Sequence, residues 1–321
     1  MTVLGGLTRL TGSGLSIVVW EPLGGVLPPL TGAQWEEAFA AYRLFPEFRQ
    51  VNPDMDLAGF KSIYWLEYLH RLLGRLIGLA FLVPFAVFLV RRRMSRRLAA
   101  ALGGIFLLGA LQGLVGWYMV QSGLVDRPDV SHYRLAAHLG LAVLIYALLL
   151  AAALHVLGRG RAAADPAPRP GARRAAWLAV ALVFATMVSG AFMAGLDAGP
   201  VFATFPLMNG RWIPEDVLAV QPWYVNFGEN PITVHFVHRV LALAATLAAV
   251  AAWWRDRRRP AAGAGDRWLG HALLFALAAQ VALGAATAIA GVPLVLALLH
   301  QAGAMVLLTI CVGLAHRQHR R

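Results

Sequence analysis

The sequence predicts an all-α polytopic membrane protein made of two tandem four-helix transmembrane bundles. Three observations carry that expectation. Of the 321 residues 59% are hydrophobic and only 14% charged, with a mean hydropathy of +0.63, whereas soluble domains hold about 25% charge. Seven apolar runs each approach or exceed the roughly 20 residues that a helix needs to cross a bilayer. The motif EYLHR at 67–71 is answered 168 residues later by HFVHR at 235–239, which marks an internal repeat.

The runs lie at about 63–90, 98–121, 133–157, 175–193, 231–254, 268–290 and 293–315. Each is expected to be helical, because lipid offers backbone polar groups no partner outside their own segment. Their many Ala and Gly residues suit close helix contact. Between the runs, 18 of the 28 basic residues fall in four short segments: 91–97, 158–174, 255–267 and the tail HRQHRR. Less basic and longer segments, at about 15–62, 122–132 and 194–230, alternate with them. By the positive-inside pattern the basic segments and the C-terminus face the cytoplasm of a bacterial inner membrane and the others face outward. The net charge of +12 then belongs to solvated loops rather than to a nucleic-acid surface. Cys311 is the single cysteine, so no intrachain disulfide, iron–sulfur cluster or cysteine zinc site can form. The Pro-, Gly- and Ala-rich stretch 158–174 reads as a linker between an N-terminal bundle, 1–157, and a C-terminal bundle, 175–321.

The repeat extends well beyond its opening motif. At the same offset Gln112 falls on Gln280, Gly116 on Gly284 and Gly123 on Gly291. His138 in LAAHLG and His300 in LLHQAG hold equivalent places in the fourth span of each half, with a shorter connection in the second. Residues 5–14, GGLTRLTGSG, echo 189–199, SGAFMAGLDAG, with Gly6 set against Gly190. Four-span units return the chain to its starting side, so the halves should be parallel copies about a pseudo-two-fold along the membrane normal. An apolar run, 175–189, precedes Gly190, but only MTVLG precedes Gly6. The first span therefore reads as incomplete, and about 15 further apolar residues are expected in frame upstream.

Four of the ten histidines, His70, His138, His238 and His300, sit five to seven residues into spans that enter from the outer side. At 1.5 Å per residue they lie at one depth, roughly 8–11 Å below that surface. Two histidines on different helices of a bundle can clamp a planar cofactor from both faces, and histidine is a standard axial ligand of haem iron. Zinc is the poorer match, since two histidines per half leave a tetrahedral shell incomplete. His132, His155, His271, His316 and His319 fall in loops, near cytoplasmic ends or in the tail. Arg71 and Arg239 are costly in lipid, at about 2.5–3.5 kcal/mol at mid-membrane. They read either as counter-charges for haem propionates or as donors to loop carbonyls. Gln112 and Gln280 read as helix–helix hydrogen-bond partners.

The segments GGLTRLTGSGLSIVVWEPLGG, FPEF with VNPDM (45–55), FKSIYWLEYLHRLLGRLIG and HFVHR together resemble the heme A synthase family. That resemblance implies oxidation of the C8 methyl of heme O to the formyl of heme A, for cytochrome oxidase. It implies heme b as cofactor on His238 and His300, substrate heme O flanked by His70 and His138, and Glu67 as the catalytic acid. By the logic of the pathway alone, the farnesyltransferase that makes heme O, heme O synthase, is an expected partner, along with cytochrome oxidase assembly factors. Some members carry a cysteine pair in the first outer segment; this chain has none and resembles the branch without it. A di-haem electron-transfer cytochrome would use the same four ligands, but would need neither Glu67 nor a long first segment. A duplicated transporter is disfavoured, since the spans lack paired proline-broken helices.

Overall fold

A computed structural model describes residues 1–19, 25–158, 170–258 and 264–318. Residues 20–24, most of the expected linker 158–174, and His319 lie outside the described residues. The described chain is helical, with seven helices long and apolar enough to span a membrane.

A short helix α1 (Thr2–Leu10) is followed by two small helices, α2 (Gly32–Tyr42) and α3 (Pro46–Gln50). Then come α4 (Leu57–Val90), α5 (Arg96–Gly123) and α6 (His132–Gly158). After the linker α7 (Pro170–Gly195) leads through a long connection, closed by α8 (Asn226–Glu229), to α9 (Pro231–Arg257). The chain ends with α10 (Ala264–Ile289) and α11 (Leu294–Arg317). Local chemistry sets the ends. Asp56 caps α4 by accepting from the Gly59 amide at 2.8 Å, so that helix begins ahead of its apolar run. Ser95 caps α5, and Asn230 caps α9 with Pro231 at the first helical position; these side chains satisfy amides that have no partner inside the helix.

The chain forms two compact units, Met1–Ala142 and Val143–Arg321, divided within α6. In the first, α1 and α5 pack on α4, and α2 lies against the N-terminal end of α4. An aromatic core joins that segment: Trp35, Phe39 and Tyr42 of α2 bury against Phe60 of α4, with Phe48 and Tyr64 around them. In the second unit α7 packs along α9 and against α11, and α10 packs on α11 and α9. Where α9 and α11 end, buried Asp256 accepts from Arg317 and, at 2.7 Å, from the Gln318 amide.

Candidate functional site

Glycine gives the site its shape. A Cβ placed on Gly5 would meet Cε1 of His70 at 3.0 Å, and one on Gly116 would meet Cε1 of His138 at 2.7 Å. In the second unit the corresponding distances are 3.5 Å from Gly190 to His238 and 2.8 Å from Gly284 to His300. All four sequence-predicted histidines thus rest against a glycine of an earlier helix; at Gly5, Gly116 and Gly284 a larger residue would press on the ring, while at Gly190 a methyl would make an ordinary contact. The repeat holds at the level of these contacts, with a one-residue correction. Both α1 and α7 close with the same bond, Ser13 N–H to Thr8 O and Ala198 N–H to Met193 O, each 2.9 Å. Each does so through one left-handed residue, Gly12 (φ 65) or Asp197 (φ 46); aspartate is one of the few side chains that tolerates this conformation. Counting back equally from those residues, Gly5 rather than Gly6 is the counterpart of Gly190.

The later histidine of each half is held by glutamine. Gln112 Nε2 donates to the carbonyl of His138 at 3.0 Å and lies 3.0 Å from its Nδ1. Gln280 Nε2 does the same to His300 at 2.9 and 3.1 Å. The earlier histidines differ. His238 Nδ1 lies 2.7 Å from Ser189 Oγ, whereas His70 Nδ1 is buried with no hydrogen-bond partner.

Position 67/235 does one task with two chemistries. Glu67, 3% exposed, accepts from the Ser16 hydroxyl and the Ile17 amide, both at 2.8 Å, and pairs with Arg71 at 2.5 Å. His235, 2% exposed, lies 3.0 Å from the Ala198 carbonyl through Nδ1. Each pins the stretch after the first helix of its half onto the second long helix. The arginines follow the same plan. Arg71 donates to Ile17 O at 2.9 Å, and Arg239 donates to Phe202 O at 3.2 Å and Pro206 O at 3.3 Å. The loop-carbonyl contact is therefore present at both; Arg75 adds another, to Gly25 O at 2.7 Å.

One acid escaped the sequence reading. Glu47, inside FPEF, is 5% exposed, has an unpartnered Oε2, and is bonded to Tyr42 within the aromatic core. Burial pushes its carboxyl up to about 7. The only signal in the sequence was an acid flanked by aromatic residues. His155 and His271 are exposed and stand apart from the four paired histidines.

The spacing of His238 and His300 in the second unit suits a metal held between two imidazoles. The His238 and His300 ring centroids are 6.5 Å apart, with their planes at 70°. A metal bonded at about 2 Å to one nitrogen of each of two imidazoles separates their centroids by about 6 Å. Among the described residues no three His, Cys, Asp or Glu side chains gather as an ion site, so the donor set is two imidazoles on different helices. His70 and His138 are likewise close enough to interact electrostatically.

Fold and site define an integral membrane protein that holds paired imidazoles between helices within its apolar thickness. The chain belongs to the cytochrome oxidase assembly protein family, whose model matches residues 1–312. It is 48% identical over 321 residues to the heme A synthase of Nitrosospira multiformis, covering 100% of this chain and 90% of that relative. It is 49% identical to that of Rhodospirillum centenum, covering 98% and 84%, and 47% identical to that of Parvibaculum lavamentivorans, covering 99% and 90%. No solved structure matches.

Proposed function

We propose that this chain is a heme A synthase that oxidises the C8 methyl of heme O to a formyl group. The observation that supports this most is the inequality of two otherwise matched imidazole pairs. Only the first half carries a buried carboxylate, Glu67, one turn before its histidine, and the second half replaces it with His235. Two equal conduits would need no such difference. His238 and His300 hold heme b in the second half, and His70 and His138 flank heme O in the first. The basic loops lie on the cytoplasmic side of the inner membrane in this reading. Heme O synthase and cytochrome oxidase assembly factors are the partners that fit this chemistry.

With water as the oxygen donor, converting methyl to formyl would release four electrons and four protons. A bound b haem would take the electrons one at a time and pass them to an external acceptor. Glu67 is placed to stabilise positive charge developing near His70, since a carboxylate in a site of low dielectric acts strongly on charge that appears in the transition state, and to accept a proton. The Ser16 hydroxyl and Ile17 amide fix the carboxylate's orientation, and Arg71 balances its charge, which lowers the cost of burial.

Haem extracted from the purified full-length protein tests the reading. Heme b together with heme O or heme A supports it. Heme b alone favours an electron-transfer cytochrome, and no haem at all overturns both. Glu67→Gln should keep heme b and the hydrogen bonds to residues 16 and 17, yet lower heme A formation at least about 100-fold. A normal heme A yield from that variant would reduce Glu67 to a structural partner of Arg71.

A further inference from the structure

We infer that Ser189 is a positioning residue that fixes His238 as a retained ligand, and that Leu4, at the matching place beside His70, makes the first-half site the one that lets its haem go. This rests on the heme A synthase reading, which needs one haem kept and the other exchanged every turnover. The two sites share the glycine and glutamine contacts of their histidines, so a difference among the ligands' remaining contacts can separate them.

The Ser189 hydroxyl carries a single proton, and we assign that proton to the Thr186 carbonyl at 2.8 Å, one turn back in α7. The oxygen is then an acceptor toward His238 Nδ1 at 2.7 Å, so Nδ1 carries the ring's proton. The remaining nitrogen, Nε2, is left with a bare lone pair, which is the form that binds a metal. A partner of this kind fixes the tautomer and orientation of a ligating imidazole and raises its basicity.

The first half lacks that partner. Gly5 and Gly190 face His70 and His238 in the same way, and the residues just before them are Leu4 and Ser189. A leucine side chain can accept nothing. His70 Nδ1 is accordingly buried and unbonded, which leaves the ring without a fixed tautomer. The later ligands do not distinguish the halves, since Gln112 and Gln280 contact His138 and His300 alike. Among the contacts of the earlier ligands themselves, the difference between the halves includes this one hydroxyl.

The test uses the full-length protein in detergent, with apomyoglobin in excess to capture released haem and a redox titration of what remains. Ser189→Ala should lose heme b about 10- to 100-fold faster, the range for removing such a partner. Its haem midpoint potential should also rise, because a less basic ligand stabilises ferric iron less; Ser189→Thr, which retains the hydroxyl, should restore both. Leu4→Ser should do the converse, with more haem copurifying per chain and slower loss of the additional fraction. Unchanged release and potential in a folded Ser189→Ala overturn the inference. Should Ser189→Ala fail to insert, Leu4→Ser decides, and no gain in retention overturns it. A protein that retains heme b through Ser189 but never produces heme A defeats the functional reading instead, so the two failures are distinct.

Discussion

The two units place their paired histidines in the same frame but cover them differently. In the second, α7 runs 26 residues beside α9, and about a third of its most apolar stretch is buried. The first unit has a separate cover, the aromatic core of α2 and α3 against Phe60. The second unit's connection has no aromatic core of this kind among the described residues; its Trp212, Trp223, Tyr224 and Phe227 are exposed. The same division runs down to single atoms, with His238 anchored through Nδ1 and His70 not.

The largest expected effect sharpens that contrast. His238→Ala or His300→Ala should remove most bound heme b, lowering retention by about 100-fold or more, since a lost ligand exceeds a lost supporting bond. His155→Ala and His271→Ala, at exposed sites, should leave the absorption spectrum unchanged. Loss of heme b in either control would show that the wrong helices have been paired.

A smaller and graded effect is expected from the glycines. Gly116→Ala and Gly284→Ala would press a methyl to 2.7 and 2.8 Å from the imidazole, an overpacking worth about 1–3 kcal/mol, and should shift the haem spectrum or lower occupancy. Gly190→Ala meets its ring at 3.5 Å, an ordinary contact, and should be neutral or gain the roughly 0.5–1 kcal/mol that alanine brings to a helix. Equal behaviour of all three in haem occupancy would break the view that rings lie tightly on glycine in both halves.

The smallest effect concerns the cover. Burial raises the Glu47 carboxyl from about 4.5 to about 7, so the folded segment favours the protonated acid. Its contribution to local stability is fully present below pH 4.5 and is lost as pH rises through about 7. Hydrogen exchange across 32–60 should therefore quicken between those values, and Glu47→Gln should flatten the profile without altering heme b. A wild-type profile flat over this range would mean that Glu47 is not titrating within the core.

Much of this was legible before any coordinates. The four histidines, their paired glutamines and Gly116/Gly284 are read from spacing, because a duplicated helix must carry its contacts at equal intervals. The start of α4 was missed by several residues, since Asp56 capping extends the helix past its apolar run. Glu67 announced itself as an acid in a lipid-crossing stretch, but its donors Ser16 and Ile17 lie some 50 residues away, and no local pattern names them. Glu47 reads as one more loop acid until α2 and α3 fold over it.

The sequence by itself determined the spans, the duplication and the identity of the four imidazoles, since hydropathy and repeat spacing are properties of the chain taken one stretch at a time. Tertiary structure alone decided which atom of each side chain finds a partner. It set the register at Gly5 rather than Gly6, gave Glu67 to the stretch after α1, and put a hydroxyl against His238 but none against His70. Those outcomes depend on the approach of two backbones to within a few ångströms, and hydrogen bonds are so steep in distance and direction that composition and periodicity carry no trace of them.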